Sequence, residues 1–349
     1  MTRFLLFTFG LIFLMTSCNE LEEGVDEANV IVITNPYGSH LITDYDIAFS
    51  AEDAAGNDIT SNVTFYIDGE PQTGNMVNFS QPGTYTITAK MELDGRQINS
   101  MPYEVVVEYP QNSTKVLVED FTGTWCVNCP RVVYHLEEAV AQNDHIIPVA
   151  IHQSRFPGDD PFGFEDYTTL ADDYDVTALP TTVINRINGN EGRWDEEYSS
   201  LQNYLNTGAP LGLKIVFEDD DTHISLDVSV HFSMDMNQQD LRLVLYLVEN
   251  GLHADQQNAT PFYDGQNPIP DFEQKHVLRK ALNGLYGTVI DANNAVAGNT
   301  ITQTFELGIP DNVTDINNCD IVAFVINETR GKVVENIQKV AFGTTQDFD

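Results

Sequence analysis

The stretch that decides the reading is Val116-Leu117-Val118-Glu119-Asp120-Phe121-Thr122-Gly123-Thr124-Trp125-Cys126-Val127-Asn128-Cys129-Pro130. Residues 116–121 form a continuous apolar-rich run, the pattern of a buried strand. Residues 130–142 repeat apolar side chains at helical spacing, with Val132, Val133, Leu136 and Val140 on one face. Between them stand two cysteines three apart. Residues three apart on a helix share a face, so the two sulfurs can meet across a first turn. A helix N-terminus directs partial positive charge at Cys126 and favours its thiolate. Cys126 then reads as the attacking sulfur and Cys129 as the one that resolves a mixed disulfide.

Working outward, residues 146–151 read as a second strand, 164–174 as a helix, 181–185 as a strand and 196–205 as a closing helix. This βαβ-then-ββα order fills a domain of ordinary size, 113–208. Before it, residues 29–109 hold short strands punctuated by Asn35-Pro36, Asp68-Gly69, Pro82-Gly83 and Asp94-Gly95, the pattern of an antiparallel β-sandwich. Tyr109-Pro110-Gln111-Asn112-Ser113 reads as a linker. After it, residues 209–349 return to strands (213–218, 224–232, 241–248, 301–307 and 321–327), and a second antiparallel β-sandwich is the simplest reading. The expected fold class is therefore multidomain: β-sandwich, α/β unit, β-sandwich.

The central part resembles thioredoxin. Asp120-Phe121 stand at the thioredoxin distance before the first cysteine. Val176-Thr177-Ala178-Leu179-Pro180-Thr181 is similar to the loop that ends in the cis-proline of that fold. The resemblance implies a thioredoxin-like fold in which Asp120 is a buried proton acceptor for the resolving thiol. It also implies that Pro180 packs against the disulfide, while Leu179 and Trp125 help to receive a substrate chain. Val127-Asn128 replaces the usual Gly-Pro pair and supplies no cation beside Cys126. A Cys126 pKa nearer ~7 than ~3.5 follows, that of a reductant or isomerase rather than a strong oxidant. The stretch Gly83-Thr84-Tyr85 to Ala89 resembles bacterial immunoglobulin-like modules, which implies a spacer or adhesion role for 29–109. Over about residues 115–342 the chain is similar to the Gram-negative outer-membrane lipoproteins named after a member of twenty-eight kilodaltons. That resemblance rests on Phe121-Thr122-Gly123-Thr124-Trp125-Cys126, His276-Val277-Leu278-Arg279 and Val322-Ala323-Phe324-Val325.

The N-terminus agrees with such an address. Arg3 precedes an apolar run, 4–15, too short to be a good membrane span. The run ends in Leu14-Met15-Thr16-Ser17-Cys18, which resembles a lipobox. Residues 1–17 read as the signal peptide, Cys18 as the lipidated residue and 18–28 as an acidic tether. A cell-envelope site permits a disulfide. Cys319, in a strand-like run, reads as a buried inert thiol.

Among 349 residues, 53 are acidic and 16 basic, a net charge of −37. Such a surface repels nucleic-acid phosphates and anionic headgroups, so neither is an expected partner. Asp219, Asp220 and Asp221 invite a divalent-cation reading, though a polar hairpin turn explains them more simply. His152 ends the second central strand and, with Cys126 and Cys129, could make a copper site; a hydrogen-bonded histidine is the plainer reading, and neither metal nor cofactor is expected. Lys275, His276, Arg279 and Lys280 form a basic island that would share neighbouring helical tracks and neutralise acidic neighbours. Residues 156–162 read as an aromatic-flanked loop beside the cysteines.

Two functions follow. The first is a lipid-anchored thiol–disulfide oxidoreductase acting on envelope or surface proteins with cysteines. The second is a non-catalytic outer-membrane binding or assembly lipoprotein, with an outer-membrane protein as partner and the cysteine pair as a staple.

Overall fold

The computed structural model describes residues 30–349, apart from 157, 221 and 222 and the side chains of 218–220, 223, 224 and 307. The signal peptide, Cys18 and the tether lie outside the described residues. So do the side chains on which an Asp219–Asp221 cation site would depend. The backbone there follows the plainer reading: Leu211–Asp220 and His223–Phe232 are antiparallel partners in register as far as Asp220 opposite His223.

The chain is β-rich, as its strand periodicities require. In the N-terminal part Gly83–Leu93 pairs with Tyr103–Glu108 on one side and Thr64–Ile67 on the other, in a six-stranded sheet. Two small sheets, Val32–Thr34 with Ser50–Glu52 and Asp46–Ala48 with Met76–Asn78, complete it. Alternate residues turn inward, so Ile87, Ala89, Val105 and Val107 meet Ile47, Phe49 and Phe65 in the core.

The rest of the chain is centred on an eight-stranded mixed sheet, with a four-stranded sheet of Thr300–Gly308, His223–Phe232, Leu211–Asp220 and Thr345–Gln346 and a two-stranded hairpin beside it. The order of the eight-stranded sheet is Thr181–Ile184, Val116–Thr122, Ile146–His152, Val277–Ala281, Leu241–Glu249, Cys319–Asn327 and Val333–Ala341, with Thr288–Val289 beside Leu241–Glu249. Val116–Thr122 and Ile146–His152 are parallel, and Thr181–Ile184 is antiparallel to the first. Three helices accompany these strands: α1 (Cys129–Gln142), α2 (Tyr167–Asp173) and α3 (Tyr198–Leu205). The hydrophobic stripe of α1 packs Val132, Leu136 and Ala139 against Val116, Val118 and Ile146, and Leu201 of α3 joins them.

Three differences from the sequence reading have physical causes. The α/β strands and the C-terminal strands, expected in separate units, share this sheet. Ala150 stands opposite Val277 in parallel register, and the Ala150 N–H donates to the His276 carbonyl at 2.8 Å. Among the described residues, a single strand rather than two lies between α2 and α3, followed by the short turn Asn190–Gly192. The basic island lies before and along the strand Val277–Ala281, not on a helix. Its charges do meet acidic neighbours: Lys275 bonds Glu137 at 2.8 Å, Arg279 lies 3.1 Å from Glu249, and Lys280 pairs with Glu165.

Arg186, fully buried, ties the two halves of the sheet together. Its guanidinium meets Glu119 at 3.0 Å, donates to the Tyr246 hydroxyl and reaches the Leu285 carbonyl at 3.4 Å. Burial works against the guanidinium charge, but Glu119 beside it prevails and raises its pKa above the ordinary arginine value. Removing one partner of a buried pair strands the other charge in a low dielectric, at a cost of about 3–5 kcal/mol. Arg186→Ala should therefore lower the urea midpoint sharply. The double change Glu119→Leu with Arg186→Met should recover most of the loss, because no unpaired charge then remains.

Candidate functional site

Cys126 and Cys129 are joined in a disulfide with Cα atoms 5.4 Å apart. Their spacing works differently from a shared helix face. α1 begins at Cys129, after the N-cap Asn128, so Cys126 stands before the helix in a turn. The Cys126 N–H donates to the Gly123 carbonyl at 3.0 Å, and the Cys129 N–H to the Cys126 carbonyl at 3.3 Å. These bonds fold the loop so that the bridge closes the step from strand to helix.

The disulfide is covered. Cys126 is 4% exposed and Cys129 1%. The cover comes from far along the chain, a hairpin of Leu252–Gln256 and Ile269–Gln274 that sequence periodicity did not disclose. Gln257 N–H donates to Thr124 O at 2.8 Å and Ala259 N–H to Val127 O at 2.7 Å, so the loop after the first strand runs along the cysteine turn. The buried Gln256 amide donates to Cys126 O at 3.1 Å and Gly123 O at 3.3 Å, while its oxygen accepts from Gln274. Phe262 stacks on Tyr134 of α1, with centroids 4.6 Å apart. The Gln256-Gln257-Asn258 run gives only the polarity of a loop; nothing local says that it closes over cysteines more than a hundred residues away.

A second network holds the loop from the other side. Asp160 Oδ2 accepts the Thr124 N–H at 2.7 Å and lies 3.0 Å from His152 Nδ1, while Oδ1 accepts the Phe162 N–H at 2.9 Å. Burial pushes the Asp160 carboxyl up, but these bonds outweigh it and hold it below the usual carboxylate range. The strand-end His152 is thus a hydrogen-bonded histidine. Its Nδ1 lies on Asp160, and the two sulfurs are bonded to each other. Among the described residues, no group of three or more His, Cys, Asp or Glu is placed to hold a metal ion. Trp125 donates its indole N–H to Gln153 O at 2.8 Å, and the Arg155 guanidinium lies 3.9 Å above its ring. The Leu179–Pro180 peptide is cis and both residues are partly exposed. Cys319 is a buried free thiol whose pKa burial pushes up to about 12, as an inert sulfur requires.

Asp120 is buried on the strand leading to the cysteines, and its Oδ1 has no hydrogen-bond partner among the described residues. Burial, with a smaller push from Glu196, raises its pKa to about 8, so the carboxyl keeps its proton at neutral pH.

A β-rich protein with a covered disulfide at the start of a helix is the class that this geometry defines. The family model described as outer membrane protein Omp28 matches residues 167–346, just over half of the chain, and the chain belongs to that family. Its address is the outer membrane of the cell envelope. Among solved structures it is similar to HBP35 of Porphyromonas gingivalis, at 16% identity and a TM-score of 0.53, over 67% of this chain and 76% of that one; the likeness is one of fold. A domain of the outer membrane lipoprotein Omp28 from the same organism matches at 20% identity and a TM-score of 0.26, over 39% of this chain and 90% of that one. No curated protein matches in sequence.

Asp120 gives the site a pH signature. The folded chain keeps a proton on this carboxyl between about pH 4 and 8, whereas the unfolded chain gives it up near the ordinary value of 3.8. Its contribution to stability is therefore fully present below about pH 4, declines as pH rises, and is lost above about 8. The slope from this group approaches ~1.4 kcal/mol per pH unit. Urea midpoints measured from pH 4 to 9 should show the decline in the native chain and a flatter profile in Asp120→Asn.

Proposed function

We propose that this chain is a non-catalytic binding or assembly lipoprotein of the outer membrane, in which Cys126–Cys129 is a structural disulfide. The observation that carries this is the cover over the sulfurs. Exchange requires a thiolate to reach a disulfide sulfur, and here the hairpin Leu252–Gln256 and Ile269–Gln274 lies over the turn and is bonded to it at Cys126 O, Thr124 O and Val127 O. The bridge then works as a clamp at the strand-to-helix step. Lipid on Cys18 would hold the chain at the membrane, and an outer-membrane protein is the partner that this address suggests.

The competing reading is a lipid-anchored oxidoreductase for cysteine-containing envelope proteins. It draws support from the order of strand, cysteine turn, helix and parallel strand, followed by an antiparallel strand, which fits a thioredoxin-like core. The protonated Asp120 favours it too. In that reading Cys126 attacks, Cys129 resolves, Asp120 relays the proton, and Trp125, Leu179 and Pro180 receive the substrate chain.

Thiol trapping of the full chain across a dithiothreitol series separates the two. A structural clamp should titrate below about −300 mV, whereas exchanging enzymes of this kind lie between about −120 and −270 mV. A value in the upper range, with turnover of a disulfide substrate that Cys126→Ala abolishes, would overturn the structural reading. Loosening the cover gives a second check. Gln256→Ala should speed reduction of the bridge by native-state dithiothreitol at least tenfold, read by the same trapping; an unchanged rate would show that the hairpin does not guard the sulfurs.

A further inference from the structure

Between α1 and the central strands lies a cavity of about 380 Å³, within the size range of small-molecule sites. One wall is the α1 face that carries Val133, Leu136 and Val140, and the opposite wall is Pro148 and Ala150. The polar groups are few and convergent. Asp120 and Thr122 come from the strand Val116–Thr122, and Gln274, Lys275 and His276 from the chain leaving the covering hairpin. Glu137 of α1 stands at the half-exposed rim, bonded to Lys275.

Asp120 is 2% exposed and lines this cavity, and its Oδ1 has no partner among the described residues. His276 Nδ1 is likewise buried without one. Buried polar atoms are nearly always hydrogen-bonded, and an orphaned one costs free energy. Two such atoms in residues that line one cavity are the arrangement of a site that awaits a polar ligand group.

The charges around the cavity select the class of ligand. Lys275 does not make it cationic, since Glu137 at 2.8 Å and Glu273 at 3.8 Å both face that ammonium. Burial drives the His276 pKa down to about 3, so its ring is neutral. Glu196, which approaches Asp120 from before α3, is paired with Arg131 at 2.9 Å. Tyr167 of α2 stays neutral, its pKa raised to about 12 by burial and by Asp120. Lys339, which also acts on His276, lies 3.9 Å from Asp320, so each of these cations has a carboxylate beside it in a chain of net charge −37, and the surrounding field is acidic. An anionic ligand would meet that field and a buried carboxyl; a cationic one would meet its counterion.

We propose that this cavity is a binding site for a small amphipathic amine, its apolar body against α1 and its ammonium on the Asp120 carboxylate. The amine enters as R–NH3+, Asp120 gives its proton to solvent, and an ion pair forms with one proton released. No other bond changes. The site shares Asp120 with the oxidoreductase reading, but amine binding does not require Cys126 to exchange.

The test is titration calorimetry of the full chain in lipid nanodiscs near pH 7, with tryptamine as probe and its neutral isostere tryptophol as control. Tryptamine should saturate one site per chain at least tenfold more tightly than tryptophol, with heats that vary with buffer ionisation enthalpy as release of about one proton requires. Asp120→Asn should erase the preference and the proton release. Ala150→Leu, which fills the cavity from the sheet side, should abolish binding of both probes while leaving the far-ultraviolet circular dichroism unchanged. Equal affinity for the two probes, no binding of either, or binding that persists in Ala150→Leu would each overturn the proposal.

Discussion

Most of the structure depends on one constraint: the strand Leu241–Glu249 is buried on both faces. Leu241, Leu243, Leu245 and Leu247 enter the core that contains the four-stranded sheet of Leu211–Asp220, His223–Phe232, Thr300–Gly308 and Thr345–Gln346. Val244, Tyr246 and Val248 enter the core shared with Phe121, Ile151 and Leu170 of the helical part. Each of these side chains stabilises the fold by roughly 1.5–3 kcal/mol when fully buried. A strand with apolar side chains on both faces cannot stand at the surface of a sandwich. It needs a layer on each side, so the helical segment and the C-terminal sheet are held as one body.

That shared wall explains the covered disulfide. Once Val277–Ala281 lies parallel to Ile146–His152, the chain entering it, Ile269–Gln274 with its partner Leu252–Gln256, has to pass close to the end of the sheet where the cysteine turn stands. The amide of Gln256 then donates to carbonyls of the turn at Gly123 and Cys126. Each of those carbonyls already accepts an N–H within the turn, and the glutamine gives each a second donor that fastens the hairpin to it. The cover is thus a consequence of sheet order as much as of any local affinity for sulfur.

Local signals carried the reading a long way. The apolar run of 116–121, the helical stripe after Pro130 and the turn residues bracketing each N-terminal strand all gave elements that the chain forms, usually within a residue or two of their ends. His152 at a strand end and Cys319 in a buried strand also followed from position and pattern. What stayed hidden depends on contacts between distant residues. Continuous apolar character in 241–248 was visible, but periodicity cannot say whether the second buried face meets a neighbouring sheet or a helical layer. Leu252–Gln256 and Ile269–Gln274 carry Asp, Gln and Pro among few apolar residues, so their strand character comes from pairing with each other. Arg186 and Glu119 lie 67 residues apart, and neither announces its partner. The basic island had helical spacing by accident, and strand pairing overrode it.

Glu119 and Asp120 show how much such partners decide. They are consecutive in one strand, so their side chains point to opposite faces of the sheet, and both are buried acids. Glu119 faces the side where Arg186 and Tyr246 wait, and its carboxylate becomes part of the joint between the two halves of the sheet. Asp120 faces the α1 side, where Val133, Leu136 and Pro148 offer it nothing to bond. Desolvation then prevails, and it keeps its proton to about pH 8. Composition would count them as two of 53 identical negative charges. The sheet gives one of them a counterion and leaves the other a neutral acid beside an apolar cavity. A one-residue slip of this strand would exchange their faces, turning the shorter Asp120 toward Arg186 and burying the Glu119 carboxyl against the apolar face of α1. The register of Val116–Thr122 is therefore fixed by charge as firmly as by its apolar side chains.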